Sequence, residues 1–249
     1  MLRNAALRLA GRWSDGPRPV ASGVWCVGGN PGRLRVYLIR DPAGTVTLFD
    51  AGGAMMLQAL RQALLHVGPL DRIVLGHAHT DHRGAAPGLG APVLCHREEV
   101  LDAEGSGGLR YWGAGLPKLP PLKRRLHRLT LQPLYDAGPV RVAATLQDGD
   151  DVSGFRVVHL PGHAPGLIAL VRERDGLALT SDAFYTIDDW WRDCMPYPPG
   201  PAWSWDADKA RRSLLRLADV QIKEAWPGHG SPLVGDVAKQ LRRAAAQAS

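Results

Sequence analysis

One six-residue segment, His77-Ala78-His79-Thr80-Asp81-His82, limits the folds open to this chain more than any other feature. It contains three imidazoles and one carboxylate, which are ligands that zinc and other borderline divalent metals prefer. The apolar run 72–76 before it is typical of a short buried strand, and glycines follow soon after it. The pattern therefore predicts a metal-binding turn at the end of a strand.

The spacing within this segment favours two adjacent metal sites. A single ion cannot easily take four ligands from so short a turn, so we expect His77 and His79 on one metal and Asp81 and His82 on the other. The alternative is a polar surface loop that happens to be rich in histidine, and the density of the motif argues against it.

Further ligands are predicted downstream, each between a strand-like apolar run and a turn of glycines or small residues. Two metals that share one carboxylate and one water need about this many protein ligands. The candidates are His163 after 155–160, Asp182 after 177–180 and His229 after 222–226.

These residues resemble the motifs of the metallo-β-lactamase-fold hydrolases. The HxHxDH motif stands at 77–82, and the early Asp of the family matches Asp50. The resemblance covers nearly the whole chain and implies an α/β protein, a four-layer αββα sandwich with two divalent metal ions at one edge. Zn²⁺ is the simplest assignment, and Mn²⁺ or iron suits the same ligands. The implied metal ligands are His77, His79, Asp81, His82, His163, Asp182 and His229, with Asp182 bridging both ions.

The resemblance also implies a role for Asp50 beside the metals. We expect its carboxylate to orient the metal-binding loop through hydrogen bonds. An Asp before two glycines can instead simply close a turn.

The implied reaction is hydrolysis by a hydroxide that bridges the metals. Asp81 is expected to ligate one metal and to pass a proton to the leaving group. Tyr185 follows Asp182 at the offset where acyl-homoserine lactonases of this superfamily carry a tyrosine, and its phenol can hydrogen-bond the substrate. Asp81 and Tyr185 are therefore the catalytic candidates, and opening of a lactone or cleavage of a related carboxylic ester is the leading hypothesis. Tyr185 can also be one more packed aromatic.

Residues 105–135 interrupt the pattern and predict an irregular basic cap inserted into a single domain that spans 1–249. The segment mixes glycine and proline, has no acidic residue and carries six positive charges. A cap that grips phosphates would favour the alternative of a phosphodiesterase or nucleic-acid hydrolase, whereas a solvated face would have no such role. Hydrolysis of β-lactams or thioesters, and metal binding without catalysis, are further alternatives.

Composition sets the remaining expectations. The net charge is +6, the sequence is 45% hydrophobic, and no apolar run reaches the length of a membrane span. The pattern of residues 1–12 predicts a short helix or a loose tail and not a signal peptide. Cys26, Cys95 and Cys194 are odd in number and widely spaced, which favours separate thiols in a cytoplasmic protein. The expected partner is a small ester or lactone, with a homodimer possible and no membrane, and nucleic acid is kept only as the partner of the alternative function.

Periodicity predicts the helices. Apolar residues at helical spacing indicate helices over 54–66 and 236–247, and Asp206 or Ser204 can cap a third that runs to about Leu217. Aromatic residues crowd the segment 184–205, and its prolines predict irregular structure. These aromatics could wall a pocket for an apolar acyl chain.

Overall fold

The computed structural model describes residues 14–29, 33–108, 135–188, 190, 192–201 and 203–247, and these residues form two β-sheets with helices outside them. The first sheet has seven strands in sequential order. The strands are β1 (Ser14–Ala21), β2 (Val24–Gly29), β3 (Leu34–Arg40), β4 (Val46–Phe49), β5 (Leu70–Val74), β6 (Val93–His96) and β7 (Val142–Leu146). Strands β1 to β4 form an antiparallel meander, and β4 to β7 run parallel to one another.

The second sheet has six strands in the order β15-β14-β11-β10-β9-β8. Its β14–β11 pair is parallel, whereas its other neighbouring pairs are antiparallel. The strands are β8 (Asp151–Val152), β9 (Phe155–His159), β10 (Ile168–Arg172), β11 (Leu177–Ser181), β14 (Glu224–Pro227) and β15 (Leu233–Val234), and a separate hairpin consists of β12 (Tyr185–Ile187) and β13 (Asp193–Tyr197).

The three longest helices that the structure describes lie where the sequence predicts them. The first begins with a 3₁₀ turn at Ala54–Met56 and buries one apolar side against the first sheet. Asp206 caps the third predicted helix by accepting a hydrogen bond from the Lys209 N–H at 2.9 Å. The α-helices are α1 (Leu57–Val67), α2 (Thr80–Arg83), α3 (Ala86–Leu89), α4 (Val100–Ala103), α5 (Ala207–Ala218) and α6 (Val237–Gln247).

Three apolar clusters show that the layers are stacked helix, sheet, sheet, helix. The middle cluster lies between the sheets and includes Tyr37, Phe49, Phe155 and Leu170, all fully buried. One outer cluster packs α1 on the first sheet, and the other packs α5 and α6 on the second. Burying one such side chain contributes about 1.5–3 kcal/mol, so the repeated apolar strands account for the layering. The predicted four-layer αββα sandwich is confirmed.

The prediction that prolines exclude regular structure after Asp182 is wrong for one part of that segment. Tyr185 pairs with Tyr197, and Ile187 pairs with Asp193, in a two-stranded hairpin that contains Pro196. A hairpin of only two strands leaves edge positions that need no backbone donor, and proline is tolerated there.

Most of the predicted cap, and the predicted N-terminal tail, fall outside the described residues. None of the helices that the structure describes is long and apolar enough to cross a membrane. The three cysteines are separate thiols, Cys26 and Cys95 buried and Cys194 exposed.

Candidate metal centre

The predicted ligands come together at one edge of the sandwich. They lie on loops that follow the ends of four strands, drawn from both sheets. His77 and His79 follow β5, Asp81 and His82 lie in α2, His163 follows β9, Asp182 follows β11 and His229 follows β14. Most of these side chains are almost fully buried, and Asp81 is the most exposed of them, at 17%.

The histidines and Asp81 form two groups of donor atoms. Within each group the donor atoms lie within 4.8 Å of one another. The first group is His77, His79 and His163, and the second is Asp81, His82 and His229. In the second group the Nε2 atoms of His82 and His229 are 3.3 Å apart.

Asp182 lies between the two groups. Its Oδ2 atom is 3.5 Å from Nε2 of His163 and 3.5 Å from Nε2 of His229, while its Oδ1 atom is 3.2 Å from Nε2 of His82. Oδ1 has no hydrogen-bond partner among the described residues, although it lies this close to His82. One carboxylate therefore faces donor atoms of both groups.

The site fits a pair of divalent cations. Several buried atoms that can ligate a metal have no hydrogen-bond partner within the described part of the chain. Leaving such an atom unpaired costs about 1–3 kcal/mol. Imidazole and carboxylate lone pairs that converge in this way are the ligands of zinc, iron and manganese sites. The atoms are Nε2 of His77, Nδ1 and Nε2 of His163, Oδ1 of Asp81 and Oδ1 of Asp182.

In the metal-free chain, the histidines of the first group have lowered pKa values and those of the second group have raised ones. Burial, followed by the neighbouring histidines, holds the pKa of His77 and of His79 well below the usual range. Burial likewise lowers the pKa of His163, to about 4, against the opposing charge of Asp182. The first group is therefore neutral at physiological pH, which is the form that binds a metal.

The second group is held by ion pairs. Burial lowers the pKa of His82, but the charges of Asp182 and Asp50 outweigh it and raise that pKa well above its usual range. The pKa of His229 is raised in the same way by Asp182 and Asp81. Burial would raise the pKa of Asp81, yet hydrogen bonding to His229 and the charge of His82 lower it to about 2. Divalent ions bound here would supply positive charge in place of these protons.

Asp50 holds this part of the site together. Its Oδ1 accepts the Gly76 N–H at 2.7 Å, and its Oδ2 accepts Nδ1–H of His82 at 2.9 Å and the Ser181 hydroxyl at 2.7 Å. With both oxygens engaged, Asp50 orients ligands and is not needed as one, which agrees with the role expected from the sequence. Its backbone φ of +58° is unusual outside glycine.

Tyr185 reaches the centre from the start of β12. Its hydroxyl donates to Oδ2 of Asp182 at 2.9 Å, and its ring lies 6.0 Å from that of His163 and 5.3 Å from that of His229. Burial and then the charge of Asp182 hold its pKa well above the usual value. The phenol therefore keeps its proton and acts as a donor.

Sequence reasoning missed Glu99, which links two ligand loops. Its buried carboxylate accepts the Ala78 N–H at 2.8 Å and the Gly166 N–H at 2.7 Å. Ala78 stands between His77 and His79, and Gly166 closes the loop that starts at His163. The one available signal was a carboxylate placed just after β6, at the same edge as the metal loop.

Arg83 was also missed. Its fully buried guanidinium donates to the carbonyls of Asp102, Ala103 and Gly105 at 2.7–3.0 Å, and it contacts the Asp136 carboxylate at 3.1 Å. It therefore ties the helix that carries His82 to chain segments on both sides of 109–134.

A cluster away from these ligands, His96, Glu98 and His159, is better explained as packing. The two rings stack in parallel at 4.0 Å, an arrangement in which their lone pairs do not converge. His96 Nδ1 accepts the Glu98 N–H, and His159 Nε2 donates to the Pro165 carbonyl.

A family model described as the metallo-beta-lactamase superfamily matches residues 29–229. The chain belongs to this superfamily, and its fold and His/Asp clusters are those of a metallo-hydrolase with a possible dinuclear site. The probable metallo-hydrolase YflN of Bacillus subtilis (strain 168) is 26% identical over 222 residues, covering 80% of this chain and 81% of the relative.

Two solved structures have a similar fold and support the assignment to this superfamily. The metallo-beta-lactamase family protein TTHA1429 from Thermus thermophilus is 27% identical, with a TM-score of 0.66 over 92% of this chain and 80% of that one. TTHA1623, solved in a di-iron-bound form, is 27% identical, with a TM-score of 0.60 over 87% of this chain and 96% of that one. The second structure shows that a relative holds two metal ions, and they are iron.

Proposed function

We propose that this protein hydrolyses a lactone or a related carboxylic ester with two divalent ions. One ion would be held by His77, His79 and His163, the other by Asp81, His82 and His229, and Asp182 would contact both. When bound, such ions supply a hydroxide nucleophile near neutral pH and polarise the oxygen of the bond that is cleaved. Zn²⁺ is the simplest candidate, and iron is the second candidate because a relative binds two iron ions.

The position of the Tyr185 hydroxyl supports this substrate class. It donates a hydrogen bond to Asp182, beside the metal-ligating atoms of both groups. Its raised pKa keeps it protonated. A protonated phenol can donate to the carbonyl oxygen or to the alkoxide oxygen as the ring opens. Hydrogen bonds to a developing negative charge in a buried site are among the larger contributions to catalysis.

Asp81 is suited to proton transfer. It is the most exposed member of the donor set, so it faces the open side of the site. Its pKa of about 2 in the metal-free chain keeps it ionised. A carboxylate with so low a pKa is a weak base, so a proton that it accepts during the reaction passes readily to the leaving oxygen.

The alternative of a phosphodiesterase or nucleic-acid hydrolase depends on the basic residues at 110–128. These lie outside the described residues, and no contact that the structure describes favours a phosphate substrate. Thioesters and β-lactams would use the same donors, so they serve as comparison substrates.

The test compares lactone opening with hydrolysis of bis-(p-nitrophenyl) phosphate by the metal-loaded protein and by Tyr185→Phe. We expect lactone opening that the substitution slows and only weak phosphodiester cleavage. Phosphodiester cleavage without lactone opening would refute the proposal and assign the protein to the alternative class. A thioester and a β-lactam measured beside them would reveal the remaining substrate classes.

A further inference from the structure

The last residue of β11, Ser181, touches two of the other segments that carry metal donors, and it also touches Asp50. Its hydroxyl donates to Oδ2 of Asp50 at 2.7 Å and lies 3.1 Å from Nδ1 of His77. Its carbonyl accepts the Gly228 N–H at 2.6 Å, next to His229. Ser181 is fully buried and directly precedes Asp182.

The directions of these hydrogen bonds determine which nitrogen of His77 carries its proton. The Ser181 hydroxyl has one hydrogen, and that hydrogen goes to the carboxylate of Asp50. The oxygen can therefore only accept from His77, so Nδ1 of His77 is the protonated nitrogen. Its Nε2 lone pair then points into the site, where that atom has no partner among the described residues.

The same network reaches the second donor group. Oδ2 of Asp50 also accepts Nδ1–H of His82, which leaves Nε2 of His82 facing Asp182. A single chain of hydrogen bonds thus runs from His77 through Ser181 and Asp50 to His82. It holds one histidine of each group in the same tautomer, in which Nδ1 carries the proton and Nε2 is directed into the site.

The strained backbone conformation at Ser181 supports a specific role for its hydroxyl. Ser181 has a φ of +46°, a conformation in which glycine is favoured over any residue with a side chain. Space is tight as well, because a Cβ on Gly76 would approach the Cβ and Oγ of Ser181 to 2.5 Å. Strain of this kind costs about 1–3 kcal/mol and persists where the surrounding structure requires it.

We propose that Ser181 is a positioning residue that couples the two groups of metal donors by holding His77 and, through Asp50, His82 in their metal-binding tautomers. The inference rests on the proposed metal centre and not on the proposed substrate. It assigns to Ser181 a role that neither the sequence motif nor the donor geometry identifies.

The test removes the hydroxyl in two ways and measures metal binding. Ser181→Ala removes the hydroxyl but keeps the Cβ, and with it the backbone strain at a φ of +46°. Ser181→Gly removes the hydroxyl and also relieves that strain, so it remains informative if Ser181→Ala does not fold. Thr180→Val is the matched control, because the neighbouring buried hydroxyl donates only to the Trp226 carbonyl, at 3.2 Å. Zn²⁺ affinity is measured by competition with a chelator, and histidine tautomers by ¹⁵N NMR of the purified full chain.

We expect both Ser181 variants to lose about 10- to 100-fold in Zn²⁺ affinity, as partners of metal ligands commonly do. The His77 tautomer signals should become mixed, while Thr180→Val should bind as the wild type does.

Unchanged Zn²⁺ affinity and unchanged tautomers in both Ser181 variants would overturn the inference, whatever the substrate proves to be. Lost affinity in a protein that opens no lactone would leave the inference standing and refute the proposed substrate. A wild-type chain that binds no Zn²⁺, Fe²⁺ or Mn²⁺ would overturn both.

Discussion

The buried guanidinium of Arg83 lies 3.1 Å from the carboxylate of Asp136, although the segment 109–134 separates the two residues along the chain. Arg83 directly follows His82, so this contact joins the metal-binding helix to the point where the chain returns from the predicted cap. The same guanidinium binds three backbone carbonyls on the other side of that segment.

We expect Arg83→Met to lower the free energy of unfolding by about 3–5 kcal/mol, because the substitution leaves Asp136 and three carbonyls without their buried donor. Urea unfolding of the metal-free chain measures the loss. Arg156→Met is the control, since the Arg156–Glu173 pair is exposed and should contribute about 0–1 kcal/mol. Equal losses in the two variants would contradict the structural role of Arg83.

Asp182→Asn should reduce binding of both metal ions, because one carboxylate faces donors of both groups. His79→Ala should mainly reduce binding at the first group. Metal analysis after dialysis should then give lower stoichiometry for Asp182→Asn than for His79→Ala, with exposed His66→Gln equal to the wild type. The opposite order would show that Asp182 does not bridge the ions.

Tyr185→Phe should lower kcat for lactone opening by about 10²-fold, the range observed when one donor to a developing oxyanion is removed. Metal content should stay near that of the wild type. Tyr197→Phe is the matched control, because the ring of Tyr197 packs on Tyr185 while its hydroxyl donates to the Ile187 carbonyl. Equal losses of activity in the two variants would show that the Tyr185 hydroxyl has no specific role in the reaction.

Glu99→Gln should destabilise the chain by about 1–3 kcal/mol and weaken metal binding, because an amide can accept only one of the two buried N–H groups. Glu98→Gln, at the exposed neighbouring position, should change neither quantity. Unfolding and Zn²⁺ titration of the two variants make the comparison. A Glu99→Gln chain that binds metal as tightly as the wild type would show that the link between the loops does not shape the site.

His96 should contribute to loss of stability in acid. Burial and the neighbouring His159 lower its pKa to about 4, so the folded chain resists the proton that the unfolded chain takes up near pH 6.5. Its contribution is complete above pH 6.5 and is lost as the pH falls toward 4. His96→Asn can still cap the turn at Glu98, so the metal-free variant should show a weaker pH dependence of unfolding in this window than the wild type and His66→Asn. An unchanged slope would contradict this.

Local patterns predicted the three long helices and the strands that precede the metal ligands, and the family resemblance predicted the layers. The apolar faces of these helices and strands pack against one another in the layers that the structure shows. The hairpin of Tyr185–Ile187 with Asp193–Tyr197 was missed because proline is a reliable signal only where a backbone donor is needed.

The sequence by itself determined the superfamily and the set of candidate donors, because the ligands in 77–82 are close through covalent spacing and the others each mark a strand end. Only the tertiary structure decided which donors face each other and which residues orient them. Glu99 contacts Gly166, and Ser181 contacts Asp50, across 67 and 131 residues of chain. Such contacts depend on how two sheets meet, so no local periodicity records them, and a buried carboxylate or hydroxyl is recognised only by the groups around it.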